Sequence, residues 1–355
     1  MPTNVGILGL GMYLPAEVRR NDWWPAELVA RWMEQRKTAP RPVIQATSEG
    51  TQRVLAAMAE QAVDPFQGAV ERRVMSPGMT VFDMEEHAAR QAIERSGVPT
   101  SRIDFVLSHT IVPDHQVGNT ACEIHHRLGL PRACFAMQTE AAAYSFLLQI
   151  TLAQSMIVSG QASHALIVQS CAASLLLDAT DPISPLFGDG ATAVVLGPVS
   201  AGRGVLGSVH YANGQSPRTL VAGVRGRRWF DDGRVTFHVA DQQQMHATFL
   251  ETADVCKSSV DAVREKTALA AKDVDWLFTY QGTPWLRRVV QDYAGLQHAK
   301  SIETFALTGY LCSAIIPSGL ALAEQQNLLA DDQVLVMTGG GTGMTCGAIA
   351  MRWGR

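Results

Sequence analysis

The sequence repeats one order of apolar strands and long helices. The run Val5–Gly11 is a glycine-punctuated apolar segment typical of a buried strand, and Gly204–Val209 repeats it. In both parts the strand segments are continuously apolar, which is typical of sheets covered by helices on both faces. We therefore predict an α/β protein of two duplicated halves, residues 1–200 and 201–355, with a helical cap insertion over about 21–67.

Composition and charge exclude several classes of protein. The 355 residues are 47% hydrophobic and carry a formal net charge of −4, so there is no basic footprint for nucleic acid. No apolar run approaches the ~20 residues that span a bilayer, and the start of the chain has no positively charged leader. The six cysteines lack metal-ligand spacing, which predicts reduced, buried thiols and no metal site. We expect a cytoplasmic protein.

Local signals place several elements. Thr80 is a predicted N-cap of a helix that ends near Gly97, and a second long helix is predicted over Asp241–Lys266. Phe187–Ala191 opens directly onto an apolar strand, and an ordinary tight turn with its aspartate bonded to its own backbone would explain this segment without any function. Gly339–Gly343 is predicted to be a glycine-rich turn between the last two strands.

The segment Ala136–Phe146 leads from an apolar strand into a helix that runs to Gly160. The N-terminus of a helix presents unpaired N–H groups and the positive end of its dipole. A nucleophile at that place would be activated, and an oxyanion beside it would be stabilised. In this chain the place is taken by the run Ala141–Ala143.

Six segments, taken in order, resemble the thiolase superfamily in its ketoacyl-acyl-carrier-protein synthase III-like branch. They are Gly9–Pro15, Glu71–Arg73, Cys122, Phe187–Ala191, Tyr280–Gln281 and Gly339–Gly347. The resemblance implies a five-layered α-β-α-β-α fold, usually dimeric, that acts on acyl thioesters of coenzyme A or an acyl carrier protein and holds no permanent cofactor. It also implies a place in fatty-acid or polyketide-type biosynthesis. In such proteins a cysteine accepts the acyl group, and a histidine and an asparagine support decarboxylation and condensation.

Transfer of the family's catalytic residues gives a different set here. The cysteine position falls on Ala141, or on Ala143 when residues are counted back from the helix end. The histidine position falls on Tyr280 and the asparagine position on Tyr310. The oxyanion donors would be backbone N–H groups at Ala141 and near Thr342. An alanine methyl cannot form a thioester, and tyrosine, with a reference pKa of about 10, is a poor base near pH 7.

Three interpretations remain open. In the first, the chain is an acyltransferase or condensing enzyme. Its Ala141 is then an engineered replacement of cysteine. Transfer of the acyl group to a non-carbon acceptor, which needs no malonyl decarboxylation, would account for Tyr280 and Tyr310. In the second, the chain is the non-catalytic partner of a heterodimeric synthase. In the third, other groups carry the chemistry, with Cys312 and Glu140 as candidates.

The loop Asp114–Val117 matters most for the second interpretation. The resemblance implies that this segment crosses the dimer interface of a homodimer or heterodimer towards the neighbouring acyl tunnel. Asp114, His115 and Val117 would then line the substrate pocket or the crossing loop, and Asp114 or His115 would serve as a base for the partner. His109 ends a strand near the same site.

Overall fold

Two β-sheets of the same strand order form the framework. The structure is a computed structural model that describes residues 4–38 and 48–355. Its strands are β1 (Val5–Tyr13), β2 (Glu17–Arg20), β3 (Glu71–Val74), β4 (Phe105–Ile111), β5 (Phe135–Gln138), β6 (Ala165–Ala172), β7 (Asp189–Pro198), β8 (Gly204–Ala212), β9 (Leu220–Val224), β10 (Val235–Val239), β11 (Trp276–Thr279), β12 (Val334–Gly341) and β13 (Thr345–Arg352). Its α-helices are α1 (Ala26–Thr38), α2 (Glu49–Gln61), α3 (Val81–Ser96), α4 (Thr120–Arg127), α5 (Ser145–Val158), α6 (Gln242–Lys266), α7 (Leu286–Tyr293), α8 (Phe305–Thr308) and α9 (Ile315–Gln325).

The first sheet has the order β1-β7-β6-β4-β5 and the second has the order β11-β12-β13-β8. In the first sheet β4 is parallel to β5 and β6, and β7 is antiparallel to its neighbours. In the second sheet β11 and β12 are parallel, and β13 is antiparallel to β12 and β8. Lys300 forms an isolated parallel bridge with Trp276, at the place that β5 takes in the first sheet. The two sheets are thus copies of one arrangement.

The helices complete five layers. Helices α3 and α4 cover the outer face of the first sheet, and α6 and α7 cover the outer face of the second. Helices α5 and α9 lie between the sheets, where α5 contacts strands of both. The predicted α-β-α-β-α fold is confirmed.

Local signals account for the long helices. Thr80 and Asp83 form a capping box at the start of α3, and Gly97 ends that helix in a left-handed conformation. Asp241 accepts hydrogen bonds from two backbone N–H groups at the start of α6. Both predicted starts are confirmed.

The central helices begin in matching turns. A 3₁₀ turn over Ala142–Tyr144 opens α5, and one over Cys312–Ala314 opens α9. Ala142 and Cys312 each have a positive φ, of 48° and 52°. This conformation is uncommon outside glycine and often marks functional sites. The duplication therefore extends to the turns that start the buried helices.

The predicted glycine-rich turn over Gly339–Gly343 is wrong in its position. Strand β12 pairs with β13 as far as Gly341, so three of these glycines belong to the strand or its end, and the chain reverses at residues 342–344. Packing requires a glycine at position 341, because a Cβ on Gly341 would lie 2.3 Å from the carbonyl oxygen of Ala141.

Two further expectations are corrected. Cys122 is exposed on the outer side of α4, whereas the other five cysteines are buried as predicted. Asp189 does not cap its own turn: it is buried and accepts hydrogen bonds from the backbone N–H groups of Met75 (2.8 Å) and Ser174 (3.0 Å). It therefore joins the start of β7 to two distant segments.

The predicted cap insertion contains α1 and α2, and residues 39–47 of that range lie outside the described part of the chain. Two tryptophans pack this insertion onto the first half. Trp24 and Trp32 are buried, and their indole N–H groups donate to the carbonyl oxygens of Ala179 (3.2 Å) and Thr180 (2.8 Å). Within residues 4–38 and 48–355, no helix is both long and apolar enough to cross a membrane.

Glu85 of α3 is a fully buried carboxyl group. Its Oε1 accepts hydrogen bonds from the hydroxyls of Thr110 (2.6 Å) and Ser170 (2.5 Å). Burial raises the pKa of Glu85 from 4.5 to about 7, and these hydrogen bonds offset only part of that effect. The folded protein thus holds a proton at Glu85 that the unfolded chain releases at lower pH.

We predict that Glu85 makes stability fall as pH rises. Between about pH 4.5 and about pH 7 the folded state binds more protons at this group than the unfolded state, so the free energy of unfolding should drop by about 3 kcal/mol. Glu85→Gln should flatten this dependence, as measured by urea unfolding across the window. Glu94→Gln, an exposed carboxyl on the same helix, is the control and should leave the slope unchanged. An unchanged slope in Glu85→Gln would contradict the prediction.

We also predict that Gly341→Ala destabilises the fold by about 2 kcal/mol or more, because the new methyl would meet the backbone of Ala141, which cannot move aside. Gly340→Ala is a matched control on the same strand, since its Cβ would make only ordinary contacts of 3.6 Å. Thermal unfolding of both variants tests this, and equal Tm values would contradict it.

Candidate active site

A cavity with two lobes lies where the central helices begin. The first lobe has a volume of about 360 Å³ and the second of about 550 Å³. Leu220, Tyr310 and Thr342 line both lobes and so form the boundary between them. Cavities of ~300–1,000 Å³ are the usual size of small-molecule sites.

The first lobe, here called the apolar lobe, is closed at its inner end by two tyrosines. The rings of Tyr280 and Tyr310 meet edge to face with centroids 5.1 Å apart. Burial raises the pKa of both hydroxyls well above the ordinary value, so both remain protonated at neutral pH. No Asp, Glu, Lys or Arg within the described ranges lines this lobe. The lobe therefore offers apolar surface and the neutral hydroxyls of the two tyrosines, together with the imidazole of His246 and the thiol of Cys256.

Tyr310 is held by the segment that the sequence marked at Phe187–Ala191. Its N–H donates to the carbonyl oxygen of Leu186 (2.7 Å), and its ring packs against Phe187. Gly188 allows this approach, because a Cβ there would lie 1.9 Å from the carbonyl oxygen of Thr308. The turn thus has a structural role in positioning the site.

The alanine turn, Ala141–Ala143, forms part of the wall of the second lobe. Ala142 and Ala143 line that lobe, and Ala141 lies half-buried just before them. The Ala141 N–H, one of the predicted oxyanion donors, donates to Ser145 Oγ (2.9 Å), and the Ala142 N–H donates to Glu140 Oε1 (2.7 Å). Two backbone donors of this turn are therefore already hydrogen-bonded, while Thr342, the other predicted oxyanion position, lines both lobes.

A hydrogen-bonded array links the two halves beside this turn. His109 is fully buried at the end of β4, with its Nδ1 2.7 Å from Ser313 Oγ and its Nε2 3.1 Å from Glu140 Oε1. Glu140 lines the second lobe, and 66% of its side chain is exposed. Burial tends to raise the pKa of Glu140, but the bond with His109 and the Ala142 N–H outweigh it and lower this pKa. Glu140 is thus an ionised carboxylate facing the cavity.

Of the remaining predicted site residues, some line the second lobe and others do not. Asp114 and Cys312 line the second lobe. His115 and Val117 are exposed and are not among its lining residues. The Cys312 sulfur accepts a weak hydrogen bond from the Cys171 thiol at 3.4 Å, and burial raises the pKa of Cys171. The structure thus brings Glu140, Asp114, Cys312, the alanine turn and Tyr310 to one cavity.

Sequence reasoning missed Ser313 and the connection that it makes. Ser313 lies 204 residues from His109 in the chain, so no spacing rule could pair them. The one available signal was the duplication, since Cys312 and Ser313 stand in the turn of α9 where Ala142 and Ala143 stand in the turn of α5.

Two family models and several curated relatives match this chain. The model of 3-oxoacyl-(acyl-carrier-protein) synthase III matches residues 137–214, and the model of its C-terminal region matches residues 265–353. The beta-ketoacyl-(acyl-carrier-protein) synthase III of Bacillus pumilus is 30% identical over 353 residues, which cover 99% of this chain and 100% of that protein. The Geobacillus kaustophilus protein of the same name is 33% identical over 289 residues, covering 81% of this chain and 88% of its own.

Solved structures share the fold. The 3-oxoacyl-(acyl carrier protein) synthase III of Pseudomonas aeruginosa PAO1 superposes with a TM-score of 0.79 at 27% identity, covering 99% of both chains. Xanthomonas campestris OleA superposes with a TM-score of 0.76 at 18% identity, covering 99% of this chain and 100% of its own, and shows likeness of fold alone. The chain is therefore a thiolase-superfamily protein that belongs to the beta-ketoacyl-(acyl-carrier-protein) synthase III family.

Proposed function

We propose that this chain binds an acyl thioester of coenzyme A or of an acyl carrier protein and transfers the acyl group directly to an acceptor. No acyl-cysteine intermediate forms, because the nucleophile position is alanine. The observation that carries this proposal is the cavity itself. Its two lobes meet at Tyr310 and Thr342, beside the alanine turn, so a donor and an acceptor can be held together.

The apolar lobe suits the acyl chain. Its lining side chains are largely aliphatic and aromatic, among them Met58, Leu186, Phe249 and Val255. Apolar surface buried against an acyl chain contributes about 25 cal/mol per Å². The protonated hydroxyls of Tyr280 and Tyr310 can donate hydrogen bonds to the thioester carbonyl oxygen, a task that oxyanion-hole donors perform elsewhere.

Direct transfer needs one exchange of bonds. The acceptor nucleophile forms a bond to the thioester carbonyl carbon, the carbon–sulfur bond breaks, and the proton lost by the acceptor passes to the departing thiolate. This reaction requires neither decarboxylation nor the histidine and asparagine that support it. It is therefore compatible with the tyrosines that stand at those two positions.

A second candidate function is that of a non-catalytic subunit paired with a related ketosynthase. It is favoured by the hydrogen bonds that engage the N–H groups of Ala141 and Ala142, since these leave fewer donors for an oxyanion. In that function the exposed loop Asp114–Val117 would reach the partner. If the chain is instead an acyltransferase, the same loop would reach the second copy of the chain in a homodimer.

Cysteine variants of the alanine turn test whether the cavity presents a thioester carbonyl there. We predict that Ala141→Cys, Ala142→Cys or Ala143→Cys becomes acylated by octanoyl-CoA or an octanoyl-loaded carrier protein, because a thiol would lie beside the bound carbonyl. Intact-protein mass spectrometry detects the adduct. The variant that reacts fastest identifies the nucleophile position. The chain without these substitutions should show no adduct.

All of these variants are made in a chain that also carries Cys122→Ser. This substitution removes the exposed thiol on α4, which would otherwise react with the thioester without any binding in the cavity. Direct transfer further predicts that the unmodified chain releases free coenzyme A only when an acceptor is present. If no variant is acylated and no thiol is released, the acyl-transfer function is wrong. The partner function is then tested by copurification with a related ketosynthase that has a cysteine nucleophile.

A further inference from the structure

The second lobe, here called the acidic lobe, carries charge of one sign. Asp114 and Glu140 line it, and within residues 4–38 and 48–355 no arginine, lysine or histidine does so. The neighbouring Arg225 is paired with Asp181 and is not among the lining residues. By contrast, no Asp, Glu, Lys or Arg of the same ranges lines the apolar lobe, whose lining includes the imidazole of His246. The two lobes therefore differ in the ligand group that each can stabilise.

Glu140 is held in place by groups from both halves of the chain. One of its oxygens accepts the Ala142 N–H and contacts Nε2 of the buried His109. In the arrangement that satisfies all three side chains, Ser313 donates its hydroxyl proton to Nδ1 of His109, and Nε2–H donates to Glu140. The imidazole thereby holds the carboxylate ionised and oriented towards the acidic lobe.

Ser313, His109 and Glu140 are hydrogen-bonded in the same order as the members of a serine–histidine–acid triad. In such a triad Ser313 would be the nucleophile. Accessibility decides against it. Ser313 has 0% exposed surface and does not line either lobe, whereas Glu140 is 66% exposed and does. In a serine hydrolase the serine must meet the substrate and the acid is buried. Here the carboxylate is the end that meets a ligand.

We propose that Glu140, positioned by His109 and Ser313, makes the acidic lobe select a primary amine as the acyl acceptor, which binds in its ammonium form. The ammonium group loses one proton to solvent water before its nitrogen attacks the thioester carbonyl carbon, and the second proton passes to the departing thiolate. This inference rests on the proposed function, because it identifies the acceptor of that transfer. Asp114 supplies a second negative charge on the same wall. A cationic group gains from both carboxylates, while an alcohol of the same shape gains from neither, and a carboxylate ligand is repelled.

The test compares two probes that differ only in charge. Dissociation constants of 2-phenylethylammonium and 2-phenylethanol are measured by ligand-observed NMR with the full chain, and again with the variant Glu140→Gln, which keeps the volume and removes the charge. We expect the ammonium probe to bind the unmodified chain at least about fivefold more tightly than the alcohol. In Glu140→Gln this preference should disappear, with alcohol binding unchanged.

Glu94→Gln, which removes an exposed charge on α3 and lines neither lobe, is the control and should keep the preference. Ser313→Ala should reduce the preference, since it frees the His109 ring while leaving the charge of Glu140 in place. Equal affinity for both probes in the unmodified chain, or an unchanged preference in Glu140→Gln, overturns the inference. The binding assay involves no acyl transfer, so failure of the thioester experiments alone would reject only the proposed function.

Discussion

The burial of α5 and α9 between the two sheets is the constraint on which the rest of the structure depends. Both facing sheet surfaces are apolar, and α5 packs on strands of each. The turns that start these helices must therefore fit beside strand backbone. Gly341 passes so close to Ala141 that no side chain fits between them. The position of the cavity follows from this packing and does not require a catalytic cysteine.

The same packing explains why polar groups gather at one end of the molecule. His109 and Thr110 lie near the end of β4, and Ser170 and Cys171 lie near the end of the neighbouring parallel strand β6. Ligand sites in sheets of this kind form beyond the carboxyl ends of parallel strands. Glu85, His109 and Asp189 are buried polar side chains that hydrogen-bond to distant segments, which offsets part of the cost of burying them.

Side chains of a different chemical type stand at the positions that the family resemblance assigns to catalysis. Where the family resemblance places a thiol nucleophile, a histidine and an asparagine, this chain has a methyl group and two buried phenols. Because burial raises the pKa of both phenols, they stay protonated near neutral pH, where they are hydrogen-bond donors and poor bases. Glu140, a carboxylate held by a histidine, lies directly beside the alanine turn. In the function proposed above, such a site binds and orients the acyl donor and its acceptor.

The sequence by itself determined the elements and their order. Continuous apolar runs, the capping box at Thr80 and the cap at Asp241 are local features that depend on residues within one or two turns. The duplication and the ordered motifs then identified the fold, and the resemblance predicted the catalytic positions. The same local reasoning misplaced the turn at Gly339–Gly343, because it could not see that the backbone of Ala141 lies against that strand.

Only the tertiary structure decided which distant residues meet and which of them face the cavity. His109 and Ser313 are separated by 204 residues, and sheet order and helix packing bring them together. Exposure likewise depends on the whole molecule: it separates the accessible Glu140 from the buried Ser313 and leaves Cys122 at the surface. A sequence specifies local backbone preferences directly, but the contacts that define a site arise only when both halves have packed around the same two helices.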